Sequence, residues 1–294
     1  MKNTTRFKEL ILNDEILVLP GCHDALSAKV IEQVGFNAVT MGGYAASAAR
    51  LAKPDVSLLT LYEYVEIVRN IVQVVDIPFF ADGDTGHGNV TNVQRTVREL
   101  ENTGAAGLFI EDQVFPKRCG HMEGKQIISK MEMVAKLKAA VDARVDEDFV
   151  IMARTDAIAV YGTDDAIERA NAFSDAGADL IFVEAPTSVE QMKNINESID
   201  APTMAIQIEG GKTPFLTTKE LEELGFNAVV YPNATVYSTA WVLRELWQGL
   251  MKEGSTKGAM DRMIRFDDFN KLVGLDKIRE SESFYYRDLF ESLK

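Results

Sequence analysis

The sequence is poor in several residue types, and each shortage excludes a class of protein. Only two of its 294 residues are cysteines, Cys22 and Cys119, which rules out a disulfide scaffold and a cysteine-rich zinc site. Lys and Arg number 31 against 45 Asp and Glu, so the formal net charge is −14. This shortage of positive charge argues against nucleic-acid binding, which needs clustered Lys and Arg, and against a polybasic membrane anchor.

Long apolar runs are missing as well. The longest, residues 77–81 and 178–183, are too short to cross a bilayer. The N-terminal residues are charged and lack the apolar core of a secretory signal. We therefore expect a cytoplasmic protein with reduced thiols. The 8 prolines are scattered and no linker divides the chain, so residues 1–294 are predicted to form one domain.

A short apolar run followed by a helical pattern recurs along the chain. Eight such runs are predicted to be strands: Ile16–Pro20, Ala38–Gly42, Ile77–Asp82, Gly107–Glu111, Phe149–Arg154, Leu180–Glu184, Thr203–Gln207 and Ala228–Tyr231. Four of them follow a glycine, Gly35, Gly104, Gly177 or Gly225, which can end a helix in the left-handed conformation. This alternation predicts an α/β fold of the (β/α)₈ TIM-barrel type. The alternative, an open doubly wound sheet, usually carries an early glycine-rich dinucleotide loop, which does not follow the first predicted strand.

Helical patterns separate the strands and continue beyond the last one. Three of them are predicted as helices over Leu61–Val74, Thr91–Thr103 and Asp164–Asp175. Residues 254–294 exceed what a barrel needs and are predicted to be a C-terminal helical extension, with amphipathic helices at Phe266–Val273 and Ser283–Leu293. Such an extension packs either on a neighbouring subunit or on its own barrel.

Charged side chains stand at the ends of four consecutive predicted strands, namely Asp82, Glu111, Arg154 and Glu184. Active sites of (β/α)₈ barrels lie at the C-terminal ends of the strands. We therefore expect these four side chains to meet in the barrel mouth. Charged side chains in solvated loops would explain a charge at the end of one strand, but not charges at the ends of four consecutive strands.

Two of the acidic residues predict a metal site. Asp82 and Asp84 are two residues apart and point to the same side of a strand. Carboxylates this close repel each other unless a cation lies between them or one is protonated, and Glu111 on the next strand can add a third oxygen. Oxygen ligands suit Mg²⁺ or Mn²⁺. The alternative is that Asp84 or Thr85 caps the following helix.

Arg154 is the cation among the predicted strand ends. A guanidinium beside a metal is suited to holding a substrate carboxylate through two parallel hydrogen bonds. The alternative is a structural salt bridge to Glu184 or Asp156. The two interpretations are compatible, because a bridged arginine is better oriented.

The loop after the fourth strand, residues 115–121, contains two cations, a thiol and an imidazole. Adjacent positive charge is expected to lower the pKa of the Cys119 thiol and to make it a proton donor or acceptor. Cys22, at the end of the first strand, is expected to be inert. His23 and His87 are expected to be hydrogen-bonded loop residues.

Four segments together resemble the isocitrate lyase/phosphoenolpyruvate mutase superfamily: Asp82-Gly-Asp-Thr-Gly-His-Gly-Asn, Glu111-Asp-Gln, Lys117-Arg-Cys-Gly-His and Ala153-Arg-Thr-Asp. The resemblance runs from about Pro20 to the C-terminal helices, and the Lys-Arg-Cys-Gly-His loop is typical of the lyase branch. Mutases that rearrange a P–C bond carry Asn-Ser in place of Cys-Gly, so Cys119 argues against that chemistry. The family implies a homotetramer of barrels that exchange a helix between subunits.

The resemblance also implies which residues bind the metal and the substrate. Asp84 is expected to bind Mg²⁺, with Asp82 and Glu111 holding metal-bound waters. The residues expected at the substrate carboxylate come from three strand ends and the loop: the amides of Gly42 and Gly43, Arg154, Glu184, which orients Arg154 or the loop, and Gly120.

The catalytic residues implied by the resemblance lie on a mobile gating loop. Cys119 is expected to be the acid/base, with Lys117 and His121 beside it. Asp55, in Lys-Pro-Asp, matches an aspartate of the family. The base that takes a hydroxyl proton is not assigned by the sequence, and Asp55 and Tyr44 are its candidates.

Departures from the family pattern bear on the substrate. Methylisocitrate lyases usually carry an Asn in the seventh strand and an Arg after the eighth for a further carboxylate, where this chain has Ile206 and Tyr237. The segment Thr40-Met-Gly-Gly also lacks the usual Tyr-x-Ser-Gly pattern. A buried third carboxylate would be left unpaired, which is costly. A dicarboxylate with apolar substituents, such as 2,3-dimethylmalate, is therefore preferred over a tricarboxylate such as 2-methylisocitrate.

The expected function is that of a Mg²⁺-dependent carbon–carbon lyase. It cleaves a 2-hydroxydicarboxylate to pyruvate and a short carboxylic acid. One alternative is an oxaloacetate decarboxylase or hydrolase of the same superfamily. Others are a phosphonate P–C bond mutase or hydrolase, and a non-catalytic barrel that binds a metabolite.

Overall fold

The strands of the chain pair side by side in one parallel sheet that curls into a barrel. The computed structural model describes residues 1–287, and within them the strands are β1 Leu17–Pro20, β2 Val39–Met41, β3 Phe79–Asp82, β4 Gly107–Glu111, β5 Val150–Thr155, β6 Leu180–Val183, β7 Thr203–Ile206 and β8 Ala228–Tyr231. Their order is β1-β8-β7-β6-β5-β4-β3-β2. A bridge between Gly21 and Thr40 joins β1 to β2, and the Cys22 amide donates to the Thr40 carbonyl at 2.8 Å. The predicted (β/α)₈ barrel is confirmed.

Helices precede the first strand, lie between consecutive strands in the sequence and follow the last strand. They are α1 Asn3–Ile11, α2 Ala25–Val34, α3 Gly43–Leu51, α4 Leu61–Val72, α5 Val90–Glu101, α6 Lys130–Ala143, α7 Ile158–Tyr161, α8 Thr163–Asp175, α9 Val189–Glu197, α10 Thr218–Glu223 and α11 Ala234–Glu253. Each predicted strand, and each of the three helices predicted between strands, differs from its observed bounds by at most two residues. The four glycines predicted to end helices have positive φ, between 89° and 105°.

The chain divides into two compact units, Met1–Tyr237 and a unit that begins at Ser238, within α11. The second unit also holds a 3-10 helix, Lys257–Arg262, then α12 Phe266–Leu272 and α13 Leu275–Tyr285. The helix predicted at Phe266–Val273 is therefore present. The one predicted at Ser283–Leu293 overlaps only the end of α13, and residues 288–293 lie outside the described residues. A single domain over 1–294 and a helix exchanged between subunits stay predictions.

No helix within residues 1–287 combines the length and the hydropathy needed to span a bilayer. This agrees with the short apolar runs of the sequence.

The first helix closes the barrel at the end opposite the predicted site. Phe7 of α1 is fully buried and its ring stacks on Phe80 of β3 with centroids 5.1 Å apart. The Thr5 hydroxyl donates to Asp148, just before β5, at 2.6 Å. Because Asp148 precedes β5, α1 covers the N-terminal ends of the strands. The other end of the barrel, where the strands have their C-terminal ends, stays open for an active site.

We predict that Phe7→Ala destabilises the barrel by about 3–5 kcal/mol, since it leaves a cavity under the stacked ring of Phe80. Urea unfolding followed by circular dichroism measures the change. Leu12→Ala is the matched control, because Leu12 is 62% exposed, and it should change stability by less than about 0.5 kcal/mol. Equal effects of the two substitutions would show that α1 does not pack into the barrel.

Candidate active site

Strand register brings oppositely charged side chains together at the barrel mouth. Glu111, the last residue of β4, is directly opposite Arg154 of β5. The guanidinium Nη1 lies 3.3 Å from Glu111 Oε2, and Nη2 lies 3.1 Å from Oε2 of Glu184, which follows β6. All three side chains are buried. The charges predicted at the ends of β4, β5 and β6 do meet in one place.

A cavity opens beside these charges. With its mouth, its empty volume is about 640 Å³. Its polar wall consists of Thr40, Gly42, Gly43, Tyr44, Asp55, Asp82, Lys117, Cys119, Gly120, His121, Arg154, Glu184 and Asn233. Its apolar wall consists of Leu19, Phe80, Phe109, Phe182, Met204, Ile206, Ile208, Val230 and Pro232. A largely apolar pocket with converging charged groups is the usual form of a small-molecule site.

Three carboxylates surround Gly43. A Cβ at this glycine would lie 3.3 Å from an oxygen of each of Asp55, Asp82 and Asp84, so a side chain would crowd all three. The amides of Gly43 and Asp84 donate to the two oxygens of Asp82, at 2.6 and 2.8 Å. The Gly43 amide is thus engaged by Asp82. A buried carboxylate takes the nearest donor, and the expected role of the Gly43 amide toward a substrate carboxylate stays a prediction.

Lys117 supplies the positive charge inside this acidic cluster. Its Nζ lies 2.8 Å from Asp55 Oδ2 and 2.9 Å from Asp84 Oδ1, and the side chain is buried. Burial opposes its charged form, yet Asp84, Glu111 and the other carboxylates raise the pKa of Lys117 well above its usual range. The ammonium of Lys117 is therefore paired with carboxylates and is not directed at the Cys119 sulfur.

The two aspartates of the predicted metal site differ in pKa. Burial, followed by the negative charge of Asp84, raises the pKa of Asp82 to about 6. Burial also opposes ionisation of Asp84, but Lys117 and then His87 hold its pKa below the ordinary value. Two close carboxylates separate in pKa in this way when one cation stabilises one of them more strongly.

The acidic cluster fits a divalent cation. Three carboxylates around one ammonium leave an excess of negative charge. Within residues 1–287 both oxygens of buried Glu111 lack a hydrogen bond, although Arg154 Nη1 lies 3.3 Å from one of them. Burial raises the pKa of Glu111 well above its usual range despite Arg154. Residues 1–287 contain no group of three or more His, Cys, Asp or Glu side chains arranged to hold a metal ion by themselves. Mg²⁺ does not require one, since it keeps several waters beside one or two carboxylates.

The alternative interpretation, in which a residue of the Asp84 turn caps the following helix, is excluded. Asn89, not Asp84 or Thr85, is the N-cap of α5, and its side chain accepts from the amides of Thr91 and Asn92. Asp84 itself has a positive φ of 48°. A non-glycine residue in this conformation is uncommon, and such strain is frequent at functional sites.

Arg154 is held by carboxylates on every side and still faces the cavity. Asp156 accepts from its Nε at 3.0 Å and from Nη2 at 3.2 Å. The rings of Phe109 and Phe182 lie 6.0 and 5.5 Å from the guanidinium carbon. Burial opposes its charge, but the carboxylates, led by Asp156, raise the pKa of Arg154 well above its usual range. The salt-bridge interpretation of the sequence is correct, and it is compatible with carboxylate binding.

The loop predicted to gate the site lies directly on these groups. His121 Nε2 is 3.0 Å from Glu184 Oε1, so Glu184 contacts both Arg154 and the loop. Gly120 has no space for a side chain, because a Cβ would collide with the Arg154 guanidinium and the Glu184 carboxylate. The loop backbone therefore packs closely against the residues expected to bind the substrate.

The expected pKa of Cys119 is corrected by the structure. Burial raises the pKa of its thiol, and the charge of Glu184 adds to this, although the His121 amide donates to the sulfur. Lys117, whose charge was expected to lower it, is directed at Asp55 and Asp84 instead. Cys119 is thus a neutral thiol near pH 7, which is the proton-donating form. The other cysteine, Cys22, is fully buried, in agreement with an inert role.

The remaining predicted positions also lie at the mouth. Ile206 lines the cavity, and Tyr237 packs edge-on against Tyr44 with ring centroids 5.9 Å apart. Burial, followed by a hydrogen bond to Tyr44, raises the pKa of Tyr237. Asn233 is buried beside them, its amide nitrogen 3.4 Å from the Tyr237 hydroxyl. His87 Nε2 is 4.0 Å from Asp84, and His23 Nε2 is 3.7 Å from Asp24.

Two polar residues of the site were missed by sequence reasoning. Lys125 contacts Asp156 at 2.7 Å although 31 residues separate them in the sequence. Asp112 accepts from the Thr155 hydroxyl at 2.8 Å and from Arg169 at 3.2 Å, beneath the site. The position of Asp112, one residue past the end of β4, is the signal that was available. For Lys125 the sequence holds none, because only the loop conformation brings it inward.

The fold and the site define an enzyme that binds a small carboxylate-bearing molecule at the mouth of a (β/α)₈ barrel, beside an acidic cluster suited to a divalent cation. The chain belongs to the phosphoenolpyruvate phosphomutase family, whose model matches residues 7–250. It is 50% identical to a 2,3-dimethylmalate lyase of Eubacterium barkeri over 97% of this chain and 99% of that protein. It is 42% identical to a 2-methylisocitrate lyase of Aeropyrum pernix over 91% of this chain and 86% of that one.

Comparison with solved structures also finds members of this superfamily. An oxaloacetate acetylhydrolase in complex with 3,3-difluorooxalacetate has a TM-score of 0.92 and 31% identity, covering 97% of both chains. A phosphonopyruvate hydrolase in complex with oxalate and Mg²⁺ has a TM-score of 0.88 and 28% identity, covering 97% of this chain and 99% of that one. The resemblance to the isocitrate lyase/phosphoenolpyruvate mutase superfamily is confirmed, and the chain is a lyase of this superfamily.

We predict that alkylation of Cys119 by iodoacetamide is slow near pH 7 and inflects above the usual thiol pKa of about 8.5. Burial disfavours the thiolate, which is the reacting form, so the rate rises only as pH passes the raised pKa. Rates across pH are measured for each cysteine by mass spectrometry, with Cys22 as the buried reference. An inflection well below pH 8 would contradict the assignment of Cys119 as a neutral thiol.

Proposed function

We propose that this chain is a Mg²⁺-dependent carbon–carbon lyase that cleaves a 2,3-dimethylmalate-like 2-hydroxydicarboxylate to pyruvate and a short carboxylic acid. The observation that carries the proposal is the identity of 50% to a 2,3-dimethylmalate lyase over nearly the full length of both chains. The site agrees with it, since the cavity combines a buried guanidinium with an apolar wall. A cytoplasmic location, expected from the sequence, and a homotetramer, implied by the family resemblance, remain part of this proposal.

The cavity walls suit the two ends of such a substrate. Arg154 faces the cavity and offers its charge to one carboxylate. Ile206, Met204 and Val230 form an apolar surface for methyl substituents. Among residues 1–287, the arginine and the lysine that line the cavity are Arg154 and Lys117, and Lys117 is already paired with two carboxylates. This combination supports a dicarboxylate over a tricarboxylate such as 2-methylisocitrate.

Bond cleavage begins when the 2-hydroxyl of the substrate loses its proton. Asp55 and Tyr44 both line the cavity, which supports either of them as the acceptor of this proton. Asp84 would hold Mg²⁺, with Asp82 and Glu111 contacting it through water. When bound, the cation supplies Lewis-acid stabilisation of the negative charge that develops on substrate oxygen. The alkoxide then collapses to the ketone of pyruvate, and the electron pair of the broken bond passes to the other fragment.

The second fragment is completed by a proton. Its carbanion is stabilised by the adjacent carboxylate, as an enediolate, and needs one proton on carbon. Cys119 is a neutral thiol on the cavity wall and donates it. His121 and Gly120 bring the loop against Arg154 and Glu184, which excludes water from the reactive intermediate.

Oxaloacetate cleavage is the second candidate function. It is favoured by the close structural likeness to an oxaloacetate acetylhydrolase. In that reaction the same Arg154 and acidic cluster serve a 2-oxo acid, and Cys119 is less important.

We predict that pyruvate is released from 2,3-dimethylmalate faster than from malate, citramalate or 2-methylisocitrate, and that EDTA abolishes the reaction while Mg²⁺ restores it. A lactate-dehydrogenase-coupled assay over this panel, with oxaloacetate consumption followed in parallel, measures the preference. A clear preference for 2-methylisocitrate would refute the inference from Ile206 and Tyr237. Oxaloacetate as the best substrate would favour the second candidate.

We predict that Cys119→Ser lowers kcat of the lyase reaction by roughly 10²–10⁴, because a serine hydroxyl is a much weaker acid than the thiol. Steady-state kinetics with the best substrate of the panel measure the loss. Cys22→Ala removes the other thiol, away from the cavity lining, and should retain activity. Full activity of Cys119→Ser would rule out proton donation by Cys119.

A further inference from the structure

Lys125 follows Cys119 on the same loop and reaches into the barrel mouth. Its Nζ lies 2.7 Å from Oδ1 of Asp156 and also donates to the carbonyl of Gly120. The lysine side chain is 3% exposed and the carboxylate of Asp156 is completely buried. A long charged side chain loses rotamer freedom and hydration when it is buried, so it is retained there only with charged partners. Lys125 has such a partner in Asp156, which directly follows β5, and it makes a second contact with Gly120 in its own loop.

Asp156 is shared between the loop and the substrate-binding arginine. Its Oδ1 accepts from Lys125 and from Arg154 Nη2, and its Oδ2 accepts from Arg154 Nε. The amide of Asp156 donates to Asp112 at 2.9 Å, which fixes the backbone beneath the site. One carboxylate on a fixed strand end therefore bonds both the group that faces the substrate and the loop that carries the thiol.

The contact with Gly120 links Lys125 to the residue next to the thiol. Gly120 adjoins Cys119 and packs so closely on Arg154 and Glu184 that a Cβ would collide with both. Because Lys125 binds the Gly120 carbonyl and Asp156 together, it holds this loop segment against the barrel. Opening the loop separates the ammonium from a buried carboxylate that it helps to neutralise.

We propose that Lys125 is a positioning residue that fastens the Cys119 loop to Asp156 and so keeps the thiol over the cavity. The catalytic consequence of this role rests on the proposed function, but the loop contact itself does not. Substrate binding depends mainly on Arg154, which keeps Asp156, Glu111 and Glu184 when Lys125 is removed. Loss of Lys125 therefore affects the proton transfer more than the binding of the substrate.

The test compares alkylation of the two cysteines in the full-length protein. In Lys125→Met, iodoacetamide is expected to modify Cys119 at least about tenfold faster than in the wild type, equivalent to about 1.4 kcal/mol of loop closure. Cys22 is fully buried and reports global unfolding, so its rate should not change. Lys138→Met removes an exposed lysine of α6 and should leave both rates unchanged. Lys125→Arg keeps the charge and should restore most of the protection.

Two further measurements separate positioning from other effects. Hydrogen exchange of the loop amides should rise in Lys125→Met, and it does not depend on ionisation of the thiol. In steady-state kinetics, kcat should fall by about tenfold while KM changes by less than about threefold. A comparable rise in KM would show instead that Lys125 supports substrate binding and would overturn the proposed role.

Three experimental outcomes decide between the positioning role of Lys125 and the alternatives to it. A wild-type rate of Cys119 alkylation in Lys125→Met would refute the proposal. Equal acceleration of Cys119 and Cys22 would also refute it, since Lys125 would then stabilise the whole fold. If Cys119 and the loop amides alone become exposed but the wild-type enzyme cleaves none of the hydroxy acids, the positioning role stands and the proposed function fails.

Discussion

The guanidinium of Arg154 is the group on which the site depends. Removing a charge of this size from water is costly, and the chain offsets the cost with carboxylates from three neighbouring strand ends, Glu111, Asp156 and Glu184. Two of these acids also contact the loop. Glu184 contacts His121, Asp156 contacts Lys125, and both contacts bring the loop over the cavity. The orientation of the arginine and the position of the loop are therefore set by the same buried charges.

A second buried cation organises the other side of the mouth. Lys117 lies between Asp55 and Asp84, while the Asp82 carboxylate takes the amides of Gly43 and Asp84. Together these groups keep an excess of negative charge in a small volume, as a divalent cation requires. The loop thus supplies an ammonium to the acidic cluster and a thiol to the cavity. Lys117 and Cys119 are two residues apart, yet they serve different parts of the site.

Local sequence was sufficient to predict the strands of the barrel and the ends of several helices. The apolar runs from Gly107 to Glu111 and from Ala228 to Tyr231 became strands with the predicted bounds, because parallel strands covered on both faces are apolar throughout. Glycines such as Gly35 ended helices for a reason confined to their own φ angle. In such elements local propensity and tertiary packing agree, so short stretches of sequence carry the information.

The sequence by itself determined the barrel, the strand ends that carry charge, and the family to which the Cys119 loop belongs. Tertiary structure alone decided where those charges are directed. Adjacent cations in the loop suggested an acidified thiol, but Lys117 turned to Asp55 and Asp84, and burial raised the pKa of Cys119. The Gly43 amide was taken by Asp82, and Lys125 reached Asp156 across 31 residues. Electrostatic pairing depends on distance and burial, and a linear order of residues specifies neither.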